Sequence, residues 1–136
     1  MAMFGSPVPY ADHARRSIKA ALGMLKAVDE FRGWMEQRFG DRGLPRFDIG
    51  IGLHTGTVIS GDIGTDKRRE YTIIGDTVNT ASRLEGMTKE LGWRIVASRT
   101  TLEAAGEGIV IGAGNSIHVK GRSAEVNVVE IVGCRD

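Results

Sequence analysis

The chain has 136 residues, 41% hydrophobic and 26% charged, a profile that fits one soluble domain able to bury a core. Eighteen Lys and Arg against 17 Asp and Glu leave a formal charge of +1, and the absence of a long basic run argues against a nucleic-acid partner. The single cysteine, Cys134, excludes an internal disulfide and suits a reducing, cytoplasmic setting, and no apolar run approaches the roughly 20 residues that span a bilayer, so no membrane contact is expected of this segment. The opening MAMFGSPVPY has neither the basic nor the apolar part of a secretory leader. From Asp12 to Phe39, the residues Ala14, Ile18, Ala21, Leu25, Val28, Phe31 and Met35 recur at three- and four-residue steps. That spacing predicts a long amphipathic helix, capped by Asp12 at its start and Gly40 at its end, with Trp34, Phe39 and the methionines in the core.

After the turn GDRGLP, the run RFDIGIGLH alternates Phe47, Ile49, Ile51 and Leu53 with Asp48, Gly50 and Gly52. It reads as a strand with one apolar face and one nearly bare face, which lets another backbone or a ligand come close. Short strands are predicted over residues 57–60 and 71–74, followed by a turn at Gly75 and a helix capped by Asp76 that points Val78, Ala81, Leu84, Met87 and Leu91 inward. Residues 93–97 read as a strand and 98–105 as a short helix, and residues 109–111, 117–120 and 126–132 as strands, the last two paired across GRSAE as a hairpin. The order gives an α+β layout, with helices packed on a mostly antiparallel sheet.

Two residues on the helix after Gly75 stand out. Arg83 is planar, always charged and able to bridge phosphate oxygens, and Asn79, one turn earlier, offers a donor and an acceptor. They can hold a ribose and a triphosphate; alternatively Arg83 only pairs with Glu85 or Glu90 on a solvated face. Lys120, in HVKGR, ends a strand where an ammonium can reach a phosphate or simply remain in water. His54 has no second His or Cys at a metal-ligand spacing and reads as structural.

The stretch IGLHTGTVISGDIGTDKRREYTIIGDTVNTASRLE, the KGR at 120–122 and the opening MAMFG closely resemble the catalytic core of the class III adenylyl and guanylyl cyclases. The resemblance covers nearly the whole chain and implies a ferredoxin-like, palm-type cyclase fold lacking its first strands, so that residues 1–136 are read as the C-terminal two-thirds of the domain. It implies catalytic roles for Asn79, at the ribose, and Arg83, at the triphosphate. It also implies substrate binding by Thr72, at the purine, and by Lys120, at the terminal phosphates. A threonine at position 72 favours ATP in this family. The resemblance further implies a head-to-tail homodimer and Mg²⁺ or Mn²⁺, and hence an adenylate cyclase that makes cyclic AMP and pyrophosphate.

The departures set the alternative. The family's two metal-binding aspartates and its purine-selecting lysine fall upstream of Met1, Asp62 and Asp66 are read in a loop, and Thr57 stands where some relatives carry arginine. No metal ligand is therefore assigned within the chain, and the piece is expected to be inactive alone. The competing reading is a non-catalytic cyclase-like module for dimerisation or nucleotide sensing.

Overall fold

The computed structural model describes residues 1–118 and 125–135. In chain order these form α1 (His13–Phe39), a 3-10 turn (Gly40–Arg42), β1 (Ile51–Leu53), β2 (Ile59–Thr65), β3 (Arg68–Ile74), α2 (Asp76–Gly86), α3 (Thr88–Leu91), β4 (Ile95–Ser98), α4 (Arg99–Ala105), β5 (Ile109–His118) and β6 (Glu125–Cys134). Four strands make one sheet in the order β1-β4-β6-β5, and β2 and β3 form a separate two-stranded sheet. The β4–β6 and β5–β6 pairs are antiparallel, as the sequence predicts, whereas β1 and β4 run parallel. A parallel pair needs a crossover. Here the crossover, residues 54–94, contains the β2–β3 hairpin, α2 and α3.

The period-2 alternation of the strands divides the core between the two faces of the sheet. Ile95, Ala97, Val129 and Ile131 are buried under α1 and α4 with Ala14, Ile18, Ala21 and Ala105, and Ile51 and Leu53 extend this cluster. Val96, Val126 and Val128 face the other way and bury Leu84 of α2, with Met87, Leu91 and Trp93 alongside. The bare face of β1 is closed by a helix: a side chain at Gly52 would collide with the Glu85 amide and the Ala81 carbonyl, and one at Gly50 with the Thr88 side chain. Gly52 thus seats the backbone of α2 directly on the sheet, and Gly50 makes room for Thr88 of α3.

Several local expectations change. Strand pairing begins only at Ile51, and residues 47–50 belong to no strand. The hairpin strands β2 and β3 are longer than expected and carry Asp62 within β2, paired with Tyr71, so only Asp66 lies at the turn. The segments 109–111 and 117–120 are not two strands, since one strand, β5, runs from 109 to 118 with register shifts between Val110 and Gly114. Residues 119–124, with all of the expected GRSAE turn but Glu125, lie outside the described residues.

The helix ends also differ. Asp12 makes no side-chain cap; it accepts a hydrogen bond from the Arg16 guanidinium one turn on, at 2.8 Å. Gly40 keeps a right-handed conformation and starts the 3-10 turn, and the left-handed stop falls at Gly43, φ 61°. The residue before α2 must adopt φ 137°, a value that strains any side chain, so Gly75 takes the cap position and Asp76 becomes the first helical residue. Its carboxylate still lies at the positive end of the helix.

Trp34 is 49% exposed and is not a core residue. The buried positions of α1 stop at Val28: a helix of this length spans about 40 Å, while a four-residue strand such as β4 spans only about 13 Å. Beyond the sheet, Trp34 stacks on Phe31 and meets Phe39 edge-on, both at 5.8 Å, and Phe47 meets Phe31 at 5.4 Å. Met24 is likewise exposed, and Phe39 is only half-buried. Among the described residues, no helix is long and apolar enough to cross a membrane.

Candidate active site

Thr72, Asn79 and Arg83 belong to one strand–turn–helix unit. Thr72 is half-buried on β3 opposite Gly61. Two residues after Thr72 the strand ends at Ile74, Gly75 turns the chain, and the Asn79 amide donates to the Gly75 carbonyl at 3.2 Å to begin the helical ladder. Asn79 is exposed and Arg83 half-buried one turn further along, while Thr80 and Leu84 carry the buried stripe of the same helix. Arg83 lies in the last turn of α2, at the negative end of the helix, a favourable placement for a cation.

The bland alternative for Arg83 fails. Among the described residues, neither Glu85 nor Glu90 lies within ion-pair distance of it. Its guanidinium and the Asn79 side-chain amide have no side-chain partner among those residues and can receive an anionic, polyhydroxyl ligand. Lys120 lies outside the described residues.

Among the described residues, no group of three His, Cys, Asp or Glu could hold a metal ion. Asp66 is taken by Arg69 at 3.3 Å, Asp48 by Arg94 at 3.0 Å, and Asp62 stands on the hairpin opposite Tyr71. Mg²⁺ is held by one or two carboxylates beside the substrate phosphates, and Asp66 and Asp48 are already paired with arginines.

A groove of about 650 Å³ lies elsewhere, between the C-terminal half of α1 and residues 43–47. Arg32, Arg46 and Arg94 line it with Asp29 and Glu36, so its charges largely cancel. His54 is structural, as expected: its Nδ1 lies 2.9 Å from the Ser98 hydroxyl.

The adenylate and guanylate cyclase catalytic domain family matches residues 1–131. The chain belongs to this family. It is 36% identical over 132 residues to adenylate cyclase 1 of Rhizobium meliloti, a match covering 97% of this chain and 19% of that protein. Among solved structures it resembles the guanylyl cyclase Cya2, with a TM-score of 0.85 and 30% identity, and the adenylyl cyclase CyaB from P. aeruginosa, with a TM-score of 0.80 and 29% identity. These matches take in 98% and 97% of this cyclase-family chain but 64% and 66% of the solved chains. The α+β cyclase fold expected from the sequence is the fold observed. The relatives bear both adenylyl and guanylyl names, so family membership leaves the purine open.

Proposed function

We propose that this chain is the nucleotide-holding part of an adenylate cyclase that converts ATP to 3′,5′-cyclic AMP and pyrophosphate as a homodimer. Asn79 orients the ribose, Arg83 faces the triphosphate, Thr72 meets the adenine edge and Lys120 the terminal phosphates. In the reaction the ribose 3′-hydroxyl loses its proton, its oxygen bonds to the α-phosphorus, and the bond from that phosphorus to pyrophosphate breaks. Charge develops on the phosphoryl oxygens, where a preoriented guanidinium stabilises the transition state more than the ground state. Mg²⁺ or Mn²⁺ enters this reading with the substrate phosphates and with carboxylates from outside the described residues.

The observation that supports the reading most is the placement of Asn79 one turn before an Arg83 that no acidic residue engages among the described residues, on a helix within the stretch that the family model matches. Titration of the chain with ATP and GTP tests it, followed by cyclic nucleotide production once aspartate-bearing strands of the family type are joined ahead of Met1. Tighter ATP binding and cyclic AMP formation are expected. Equal use of GTP would overturn the purine assignment; no nucleotide binding would overturn the enzyme reading in favour of a dimerisation module.

A further inference from the structure

The loop between β1 and β2 is tied down on both sides by hydroxyl groups. On one side, His54 Nδ1 lies 2.9 Å from Ser98 Oγ, and Thr55 Oγ1 lies 2.9 Å from Thr101 Oγ1. Ser98 and Thr101 are each 1% exposed and are 3.1 Å apart, and the Thr101 amide donates to Ser98 Oγ, the cap of α4. Having accepted that amide, Ser98 retains one proton and one acceptor site for His54 and Thr101, and the hydroxyl chain closes in either direction. On the other side, the Thr77 hydroxyl, in the first turn of α2, donates to the Thr57 carbonyl at 2.7 Å. A side chain at Gly56 would come within 2.6 Å of that same Thr77 oxygen, so helix and loop touch closely.

We propose that His54, Thr55, Ser98 and Thr101 form a positioning clamp that holds residues 54–57, against which Thr77 seats α2 with Asn79 and Arg83 in register. The proposal rests on the nucleotide reading of α2. These are positioning residues: none is asked to touch the nucleotide. Thr77 precedes Asn79 by two residues and Arg83 by six, so a tilt of the first turn moves both. Buried hydroxyls left without partners are costly, which makes the clamp nearly all-or-none. Thr55 and Thr77 should accordingly act as one unit.

The test uses the whole chain with ATP as the probe, in the variants Thr55→Val, Thr77→Val, their combination and Thr77→Ser. Each valine variant is expected to weaken ATP binding about fivefold, the effect of one lost hydrogen bond. The pair should weaken it by clearly less than the product of the two, as coupled sites do. Thr77→Ser, which keeps the hydroxyl, should restore binding. NMR resonances of the Asn79 side-chain amide and the Arg83 Nε–H, recorded without nucleotide, should shift in both valine variants and return in Thr77→Ser. Should Thr55→Val fail to fold, the Thr77 pair decides alone. If the unsubstituted chain binds no ATP, the nucleotide reading fails while the resonance shifts still decide whether the clamp orients α2. Unmoved Asn79 and Arg83 resonances, or effects that multiply independently, overturn it.

Discussion

On one face of the four-stranded sheet, α1 and α4 cover Ile95, Ala97, Val129 and Ile131 with interlocking aliphatic side chains. On the other, α2 rests its backbone on Gly52 while Thr88 of α3 sits against Gly50, and a smaller apolar set around Leu84 and Val128 supports them. The first face is held by filled volume, so it should weaken in proportion to the volume removed. The second is held by close approach and by directional hydrogen bonds at the loop 54–57, so it should respond to any added atom. The candidate site residues in the described part of the chain all lie in the crossover that packs on this second face. Sheet and helices provide the stability, and the glycine face sets where Asn79 and Arg83 stand.

The sharpest way to break the comparison is to substitute both faces. Ile18 is fully buried under the sheet, and Ile18→Ala should cost about 3 kcal/mol or more of stability, lowering Tm by roughly 10 °C, while the folded fraction binds ATP as before. Gly52→Ala should cost about 2–3 kcal/mol because α2 must move, and it should lose ATP binding as well. Calorimetry and ATP titration on both variants check this. If Ile18→Ala impaired the site as severely as Gly52→Ala, the two faces would not be separable.

Arg83→Ala sharpens the comparison in the opposite direction. In a protein with aspartate-bearing strands of the family type joined ahead of Met1 it should reduce turnover by roughly 100-fold, the loss of one transition-state charge contact, with Tm lowered only slightly, because Arg83 carries no ion pair among the described residues and only its favourable place at the end of α2 is lost. An unchanged kcat would remove Arg83 from the site. A smaller effect is expected at Thr72, where Thr72→Cys should narrow the preference for ATP over GTP without abolishing turnover; an unaltered ratio of kcat/KM would show that Thr72 does not read the purine.

Much of this was legible in the sequence, and the misreadings follow a pattern. Alternating Ile51, Gly52 and Leu53 gave both the apolar face of β1 and the bareness of its other side, because side-chain direction follows directly from the strand period. What fills that side is a long-range fact, and only the fold shows that it is the backbone of α2. Trp34 and Phe31 continue the periodicity of α1, so they look like core; periodicity gives the direction of a helix face, not the length of the sheet beneath it. Asp76 resembles a cap by residue type, but the turn's φ of 137° demands glycine there. Asn79 and Arg83 were legible because one helical turn brings them together locally. The clamp at Ser98 and Thr101 joins residues more than 40 positions apart, and no local pattern encodes it.

The smallest expected effect concerns the far end of the first face. Arg94, just before β4, joins Asp29 of α1 at 2.9 Å and Asp48, ahead of β1, at 3.0 Å. The hydrogen bond from Arg94 holds the Asp29 carboxyl below the usual carboxylate range. Burial pushes the Asp48 carboxyl up, but the Ile49 amide and Arg94 outweigh it, and the net direction is down. Arg94 itself is pushed up, first by its bond to Asp29, and stays charged throughout. Depressed carboxylates contribute stability that is present above their unfolded value, near about 4, and lost as pH falls through the folded values. Removing the arginine with Arg94→Met should therefore lower Tm at pH 7 only slightly, by about 2 °C or less, because the pairs are partly exposed. The buried Arg94 Nε has no partner among the described residues, and its removal offsets part of the loss. The informative quantity is the slope: Tm of the unsubstituted protein should fall more steeply below about pH 4 than that of Arg94→Met, the two curves converging near pH 2. ATP binding should be unaffected in the variant, since this network braces α1 against the starts of β1 and β4 rather than seating α2. Parallel acid slopes would show that the network adds nothing to the first face, and a loss of ATP affinity would show that the two faces communicate through the sheet.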